Sequence, residues 1–262
     1  MAQGPPSRNP TPRKPTVNDV RDTLARLRAA ITPTTRICAL TGAGISAASG
    51  VPTFRGGHDS LWENVRPEEL ATPQAFERDP AKVWRWYDWR RGLVSNCEPN
   101  AAHLALVGLE AACERVTVVT QNVDGLHQRA GSRHVLEFHG SLWTLRCLGC
   151  GRETENHVTP LPPLPACSVC GGLMRPGVVW FGEAIDPQVM RDSVDAVGDC
   201  DLLLVIGTSG LVYPAAGLAR AGKESGATVA EFNLEEGGVS AWVDHFIPGG
   251  AHETLPLLVP EV

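Results

Sequence analysis

Thr41–Arg55 reads TGAGISAASGVPTFR, and its reading decides the fold class. The apolar run Ile37–Leu40 stands directly before it, as a buried strand would. Its core, Gly42-Ala43-Gly44-Ile45-Ser46-Ala47, fits the G-x-G-x-x-G/A turn that binds a dinucleotide. Glycine reaches positive φ and lets backbone N–H groups approach a pyrophosphate. A hydride-transfer domain would continue into one long helix. Here Gly50-Val51-Pro52 follows, and the proline stops the helix early. Thr53, Phe54 and Arg55 then fall in a loop beside the phosphates. An aromatic and a cation over a bound dinucleotide suggest a cofactor handled as a reactant.

The rest of the chain is consistent with a Rossmann-like, doubly wound parallel α/β sheet. Val20, Leu24, Leu27 and Ile31 recur at helical spacing, giving an amphipathic helix over 17–30. Asp79-Pro80 is a helix start, and a second helix runs from Asn100 to about Cys113. Arg115–Thr120, Val135–Phe138, Gly177–Phe181, Asp201–Ile206 and Thr228–Asn233 read as strands, and 214–225 as a helix. Asp201–Ile206 is apolar throughout, which suits a parallel strand covered on both faces. Two insertions interrupt the alternation. The expected division is a disordered tail at 1–15, a nucleotide-binding domain from 16–56, 101–140 and 176–262, a helical insertion at 57–100 and a cysteine module at 141–175.

Composition narrows the partners. The 262 residues carry a formal net charge of -6, so bulk attraction to nucleic acid or to an anionic membrane is not expected. No apolar run approaches the roughly 20 residues of a membrane helix. The first residues, MAQGPPSRNPTPRKPT, lack the hydrophobic core of a secretory signal, which points to the cytoplasm. A monomer is expected.

Four of the eight cysteines are clustered. Cys147-x-x-Cys150 and Cys167-x-x-Cys170 have the spacing of a four-thiolate zinc site. Four protein ligands leave no open coordination position, so one structural Zn2+ is expected. The segment between them, with Leu161-Pro162-Pro163-Leu164-Pro165, is too short to build its own core and needs the metal to fold. Arg146, Arg152 and Arg175 flank the module, but Glu153 and Glu155 do too, so no basic stripe suggests nucleic acid.

A second polar cluster, Thr120-Gln121-Asn122-Val123-Asp124-Gly125-Leu126-His127, follows the Arg115–Thr120 strand. Ligands bind at the C-terminal edge of such sheets. Gln121, Asn122 and Asp124 could hydrogen-bond a ribose and a carboxamide, or could simply cap a turn. His139 ends the next strand at the same edge, and histidine is the usual general base near neutral pH.

Taken in order, these motifs resemble the sirtuin family of NAD-dependent protein deacylases. They are GAGISAASGVPTFR (42–55), TQNVDGLH (120–127), His139-Gly140, the four cysteines, RPGVVWFGE (175–183), GTSGLVYPAA (207–216) and Asn233. The resemblance implies that NAD is consumed. The acyl-lysine carbonyl oxygen attacks the anomeric carbon, nicotinamide leaves, and a histidine acts as base on the ribose hydroxyls. The acyl group ends on ADP-ribose. His139 matches that base, and Asn122 and Asp124 match its catalytic neighbours around the nicotinamide pocket. Gly42, Ala43, Gly44 and Ser46 match the phosphate turn, with Thr53, Phe54 and Arg55 in the shielding loop and Gln121 beside the nicotinamide ribose. Gly207, Thr208 and Ser209 match a second phosphate and ribose contact, Asn233 the adenosine ribose and Ala251 the adenine. Val178, Trp180, Phe181, Gly182 and Glu183, with Gly210 and Val212, match the segments between which an acyl-lysine peptide lies.

Tyr87 and Arg90 match the Tyr-x-x-Arg pair of the branch that removes succinyl and malonyl groups, as in bacterial desuccinylases. At i and i+3 they share one helix face, and a phenol with a guanidinium can bind a terminal carboxylate. The expected activity is lysine deacylation of acetyl and also succinyl or malonyl groups. The rivals are mono-ADP-ribosyl transfer, hydride transfer and a zinc-ribbon binding module. Hydride transfer is disfavoured because no acidic residue stands at a strand end about 20 residues after the turn.

Overall fold

The computed structural model describes residues 16–53 and 66–260. The segment read as a tail, and Phe54 and Arg55, lie outside them. In chain order the strands are β1 (Arg36–Thr41), β2 (Arg115–Thr120), β3 (Val135–Glu137), β4 (Gly140–Cys147), β5 (Glu153–Glu155), β6 (Met174–Val178), β7 (Leu202–Ile206), β8 (Thr228–Asn233) and β9 (His245–Pro248). The helices are α1 (Val17–Ala30), α2 (Pro73–Arg78), α3 (Pro80–Ser95), α4 (Ala101–Ala112), α5 (Leu126–Ala130), α6 (Pro187–Gly198), α7 (Ala215–Glu224) and α8 (Ala251–Thr254).

β1 shows why the sheet is covered on both sides. Ile37 and Ala39 enter one apolar cluster, together with Leu24 and Leu27 of α1, Leu106 and Leu109 of α4 and Leu255. Cys38 and Leu40 enter another, with Val197 of α6 and Leu218 and Ala219 of α7. Successive side chains point to opposite faces, so a strand between two helical layers must be apolar at every position. The strands run parallel in the order β3-β2-β1-β7-β8-β9. From β1 the chain fills one side and then returns to fill the other. The direction of winding therefore reverses between β1 and β7, where the crevice for a ligand opens.

The helix starts follow their caps. The Asp79 carboxylate accepts from Lys82 N–H and Pro80 occupies the first helical position of α3. Asn100 caps α4 with His103 as its reciprocal partner.

Two expectations are corrected. The turn after β1 opens no α-helix; it makes two 3-10 turns, Ala43–Ile45 and Ala47–Ser49, ending at Gly50 with φ 86°. The run 177–181 is not a strand of the main sheet. Its first two residues close β6, which pairs antiparallel with β4 in a separate three-stranded sheet, β5-β4-β6. A Cβ on Gly177 would lie 2.6 Å from Thr144, so glycine is what lets β6 approach β4 there.

The described part of the helical insertion and the cysteine module share one core. Phe76, Trp84, Tyr87 and Val94 pack with Leu142, Trp143, Met174 and Trp180. Arg91 stitches the two together and is 1% exposed. Its guanidinium donates to the carbonyls of Leu142, Asn156 and Val158 and to the Asn156 side chain. Among the described residues, no helix is long and apolar enough to cross a membrane.

Candidate active site

The C-terminal strand edge carries a cleft of about 1560 Å³. It is lined by Gly42, Ala43, Gly44 and Thr53 after β1, by Gln121, Asn122 and His139 after β2 and β3, and by Gly207, Thr208 and Ser209 after β7. Asn233 and Ala251 line it beyond β8 and β9, and Tyr87 and Arg90 from α3. Val178, Trp180, Phe181, Gly182, Glu183 and Val212 complete the predicted set at its wall. Ser46, Asp124 and Gly210 are buried behind that wall.

The glycines serve a tighter purpose than phosphate approach alone. A Cβ on Gly42 or Gly44 would lie 2.7–2.9 Å from atoms of Gly207 and Thr208. Gly207 itself has φ +57°, in the left-handed region. The turns after β1 and β7 therefore cross in backbone contact: Gly44 N–H donates to the Gly207 carbonyl at 2.8 Å, and Gly42 N–H and Gly207 N–H donate to the carbonyls of Ile206 and Phe232.

His139 is oriented by its own neighbour. Its Nδ1 lies 3.1 Å from the Gln121 carbonyl. A carbonyl only accepts, so Nδ1 carries the proton and neutral Nε2 keeps its lone pair. Burial lowers the imidazole below the ordinary histidine value, partly offset by the Gln121 carbonyl. The ring is therefore neutral at pH 7, as a base must be.

Behind His139 lies a buried polar chain. Asn122 Nδ2 donates to the Gly42 carbonyl at 3.1 Å and to Ser46 Oγ at 3.1 Å. Ser46 Oγ donates to Asp124 Oδ2 at 2.8 Å. Asp124 also accepts from Leu126 N–H, and its carbonyl accepts from the Trp143 indole at 2.7 Å. Burial raises the Asp124 carboxyl, against the Leu126 and Ser46 bonds that lower it. His103, absent from the sequence-based site, joins this chain: Nδ1 accepts from Asn100 N–H and Nε2 reaches Ser46 Oγ at 3.4 Å. Only its position as the helix partner of Asn100 marks it in the sequence. His127 packs on it with ring centroids 4.9 Å apart.

On the opposite wall Tyr87 and Arg90 lie side by side. The Tyr87 hydroxyl accepts from the Trp180 indole at 2.9 Å, which leaves its proton to donate. Burial pushes it up to about 12, so it stays a neutral donor. The Arg90 guanidinium lies 4.9 Å over the Trp86 ring and is 6% exposed. Trp86 and Ala71, unforeseen in sequence, also line this corner.

The 178–183 segment is shaped by an ion pair. Arg175 Nη1 lies 2.5 Å from Glu183 Oε1, and Nη2 lies 2.9 Å from Oε2. Glu183 Oε2 also accepts from Trp180 N–H at 2.8 Å, and the Arg175 guanidinium lies 3.5 Å over the Trp180 ring. Burial raises the Glu183 carboxyl, but Arg175 outweighs it and holds the group below its usual value. Glu183 thus folds the segment, while Phe181 is 48% exposed at the cleft.

The four clustered thiols converge, all four Sγ atoms lying within 4.8 Å of one another. Cys147 and Cys170 are 3.4 Å apart, and Cys150 and Cys167 3.8 Å. Tetrahedral thiolates at Zn–S distances of about 2.3 Å would stand about 3.8 Å apart. The donor set therefore fits zinc, with every coordination position filled by protein.

Sheet order, a switch-point cleft and a four-thiolate knuckle pair define a dinucleotide-binding α/β protein with a zinc module. The Sir2 family profile matches residues 42–214, and the chain belongs to that family. It is 55% identical over 224 residues to NAD-dependent protein deacylase 2 of Pyrobaculum aerophilum, covering 85% of this chain and 89% of that one. It is 51% identical over 212 residues to the NAD-dependent protein deacylase of Aquifex aeolicus, covering 80% and 88%. Among solved structures, a Sir2 homolog–NAD complex matches with TM-score 0.83 and 47% identity, covering 90% of this chain and 92% of that one. A Sir2–p53 peptide–NAD+ complex matches with TM-score 0.76 and 30% identity, covering 89% and 94%.

Proposed function

We propose that this chain is an NAD-dependent protein lysine deacylase that transfers the acyl group to ADP-ribose and releases nicotinamide. The observation that carries the reading is one cleft lined both by the crossed glycine turns and by a neutral, carbonyl-oriented His139. NAD, the consumed co-substrate, supplies an electrophilic ribosyl carbon. Its phosphates fit the cleft-lining turns 42–44 and 207–209, at Ala43, Thr208 and Ser209, and its adenosine fits Asn233 and Ala251. Gln121 and Asn122 face the nicotinamide ribose. His139 Nε2 takes a hydroxyl proton, and the Gln121 carbonyl steadies the imidazolium that forms. Asp124 acts through Ser46 and Asn122 as a positioning residue.

Substrate is an extended acyl-lysine peptide laid between 178–183 and 210–212, recognised by backbone pairing with little side-chain preference. The zinc module folds the wall that carries β6 and 178–183. A reducing compartment such as the cytoplasm suits the eight cysteines, all of them free of disulfides.

Tyr87 and Arg90 extend the reading to succinyl and malonyl groups. Both side chains line the cleft, and a phenol proton beside a guanidinium matches the geometry of a terminal acyl carboxylate. In an NAD-dependent assay on acetyl- and succinyl-lysine peptides, Arg90→Met should lower desuccinylation kcat/KM about 10–100-fold and deacetylation at most about threefold. Equal loss of both would remove the carboxylate clamp from this account.

A further inference from the structure

Glu231 is 0% exposed, on β8, and no step above uses it. Its two oxygens meet only donors. Oε1 accepts from Gly237 N–H at 3.1 Å and from Asn233 Nδ2 at 3.4 Å, and Oε2 accepts from Ser240 Oγ at 2.6 Å. Its strand neighbours in register, Val205 and Phe246, are apolar. A buried carboxyl with several donors and an apolar setting is worth keeping only if it holds something in place.

What it holds is the rim of the cleft. Asn233 Nδ2 also donates to the Thr208 carbonyl at 2.9 Å, and Gly238 N–H donates to the Ser209 carbonyl at 2.9 Å. The 234–238 loop thereby lies flat on 208–210. The fit is close: a Cβ on Gly237 would lie 3.0 Å from Glu231 Oε1 and 3.1 Å from the Ser209 carbonyl. A Cβ on Gly238 would lie 2.7 Å from the Gly210 carbonyl. One side chain therefore sets the Asn233 amide, the Thr208–Ser209 turn and the start of the 210–212 segment.

We infer that Glu231 is a positioning residue that shapes the adenosine half of the dinucleotide site and braces the peptide-facing segment beside it. This rests on the proposed placement of NAD and peptide. Its role is that of an acceptor. A glutamine can keep its carbonyl toward Gly237 and Asn233 and give its amide N–H to the Ser240 oxygen, which can turn to accept.

The test is ADP-ribose binding to the full chain by titration calorimetry, with steady-state NAD kinetics on an acetyl-lysine peptide. Glu231→Ala should raise the ADP-ribose Kd and the NAD KM about tenfold, with kcat within about twofold. Glu231→Gln should restore both to within about twofold. Gly237→Ala attacks the same contact from the loop side and should raise both several-fold. It serves equally if Glu231→Ala fails to fold. Partial unfolding lowers kcat and the binding stoichiometry but leaves Kd and KM alone. Unchanged Kd and KM in Glu231→Ala or Gly237→Ala would overturn the inference, as would a Glu231→Gln as impaired as the alanine. If wild-type protein binds ADP-ribose but leaves acyl-lysine untouched, the deacylase reading fails while the binding test of Glu231 still decides.

Discussion

His139→Ala is expected to lower the kcat for NAD-dependent deacetylation by about 10²–10⁴-fold, the range a positioned general base contributes. NAD affinity should stay within about threefold, because the crossed glycine turns and the 208–233 contacts are untouched. The pH profile should move as well. The wild-type ring is neutral at pH 7 because burial holds it below the ordinary histidine value of 6.5, against the opposing Gln121 bond. The acid limb of kcat/KM should therefore fall at a pH below that value, and the alanine variant should lose this limb. Initial rates from pH 5 to 8, with calorimetric NAD binding, check both parts. An unchanged kcat would remove His139 from the mechanism.

Acid should destabilise the fold through the two buried histidines. His103 is pushed down to about 4 by burial. His127 is pushed down to about 3 by burial and by His103 beside it. Its Nδ1 is buried with no hydrogen-bond partner among the described residues, so a proton there gains nothing. The sign follows directly. Below the unfolded value of about 6.5 the unfolded chain takes up two protons that the native state refuses until pH 4 and 3. Stability is thus full above about pH 6.5 and is lost as pH falls. At about 1.4 kcal/mol per pH unit and site, the two cost about 4 kcal/mol by pH 5. That is a large share of the 5–15 kcal/mol of an ordinary domain. Asp124 and Glu137, whose carboxyls burial raises, oppose the trend. Single replacement of either histidine by glutamine isolates the histidine part. Urea unfolding at pH 7 and pH 5 should show each variant losing about half of the wild-type pH dependence. Identical dependence in wild type and variants would contradict the account.

The cores of the fold were legible wherever burial alone dictates residue type. β1, β2 and β7 read as strands because both their faces are covered. α3 and α4 read as helices because Asp79-Pro80 and Asn100 announce their starts. α6 opens on the same kind of signal, Asp186-Pro187, and turns Val189, Met190, Ala196 and Val197 to the core, so its absence from the expected elements has no physical cause. β9 was missed because four residues carry no period. Residues 177–181 misled because β6 hands over to a loop folded by Arg175 and Glu183, an ion pair that local apolar patterning does not report. The same limit applies to the site. The residues at strand ends were visible, but Ser46 and Asp124 meet from 78 positions apart, and the glycines of the first turn are needed by Gly207. His103, Arg91 and Glu231 carry buried polar contacts that only the assembled fold brings together.

The most direct test incubates wild-type protein with an acetyl-lysine peptide and NAD and follows every product by mass spectrometry. One nicotinamide and one O-acetyl-ADP-ribose should appear for each lysine freed, and nothing should be freed without NAD. Lysine freed without NAD, peptide carrying ADP-ribose in place of its acetyl group, or reduced dinucleotide among the products would contradict it.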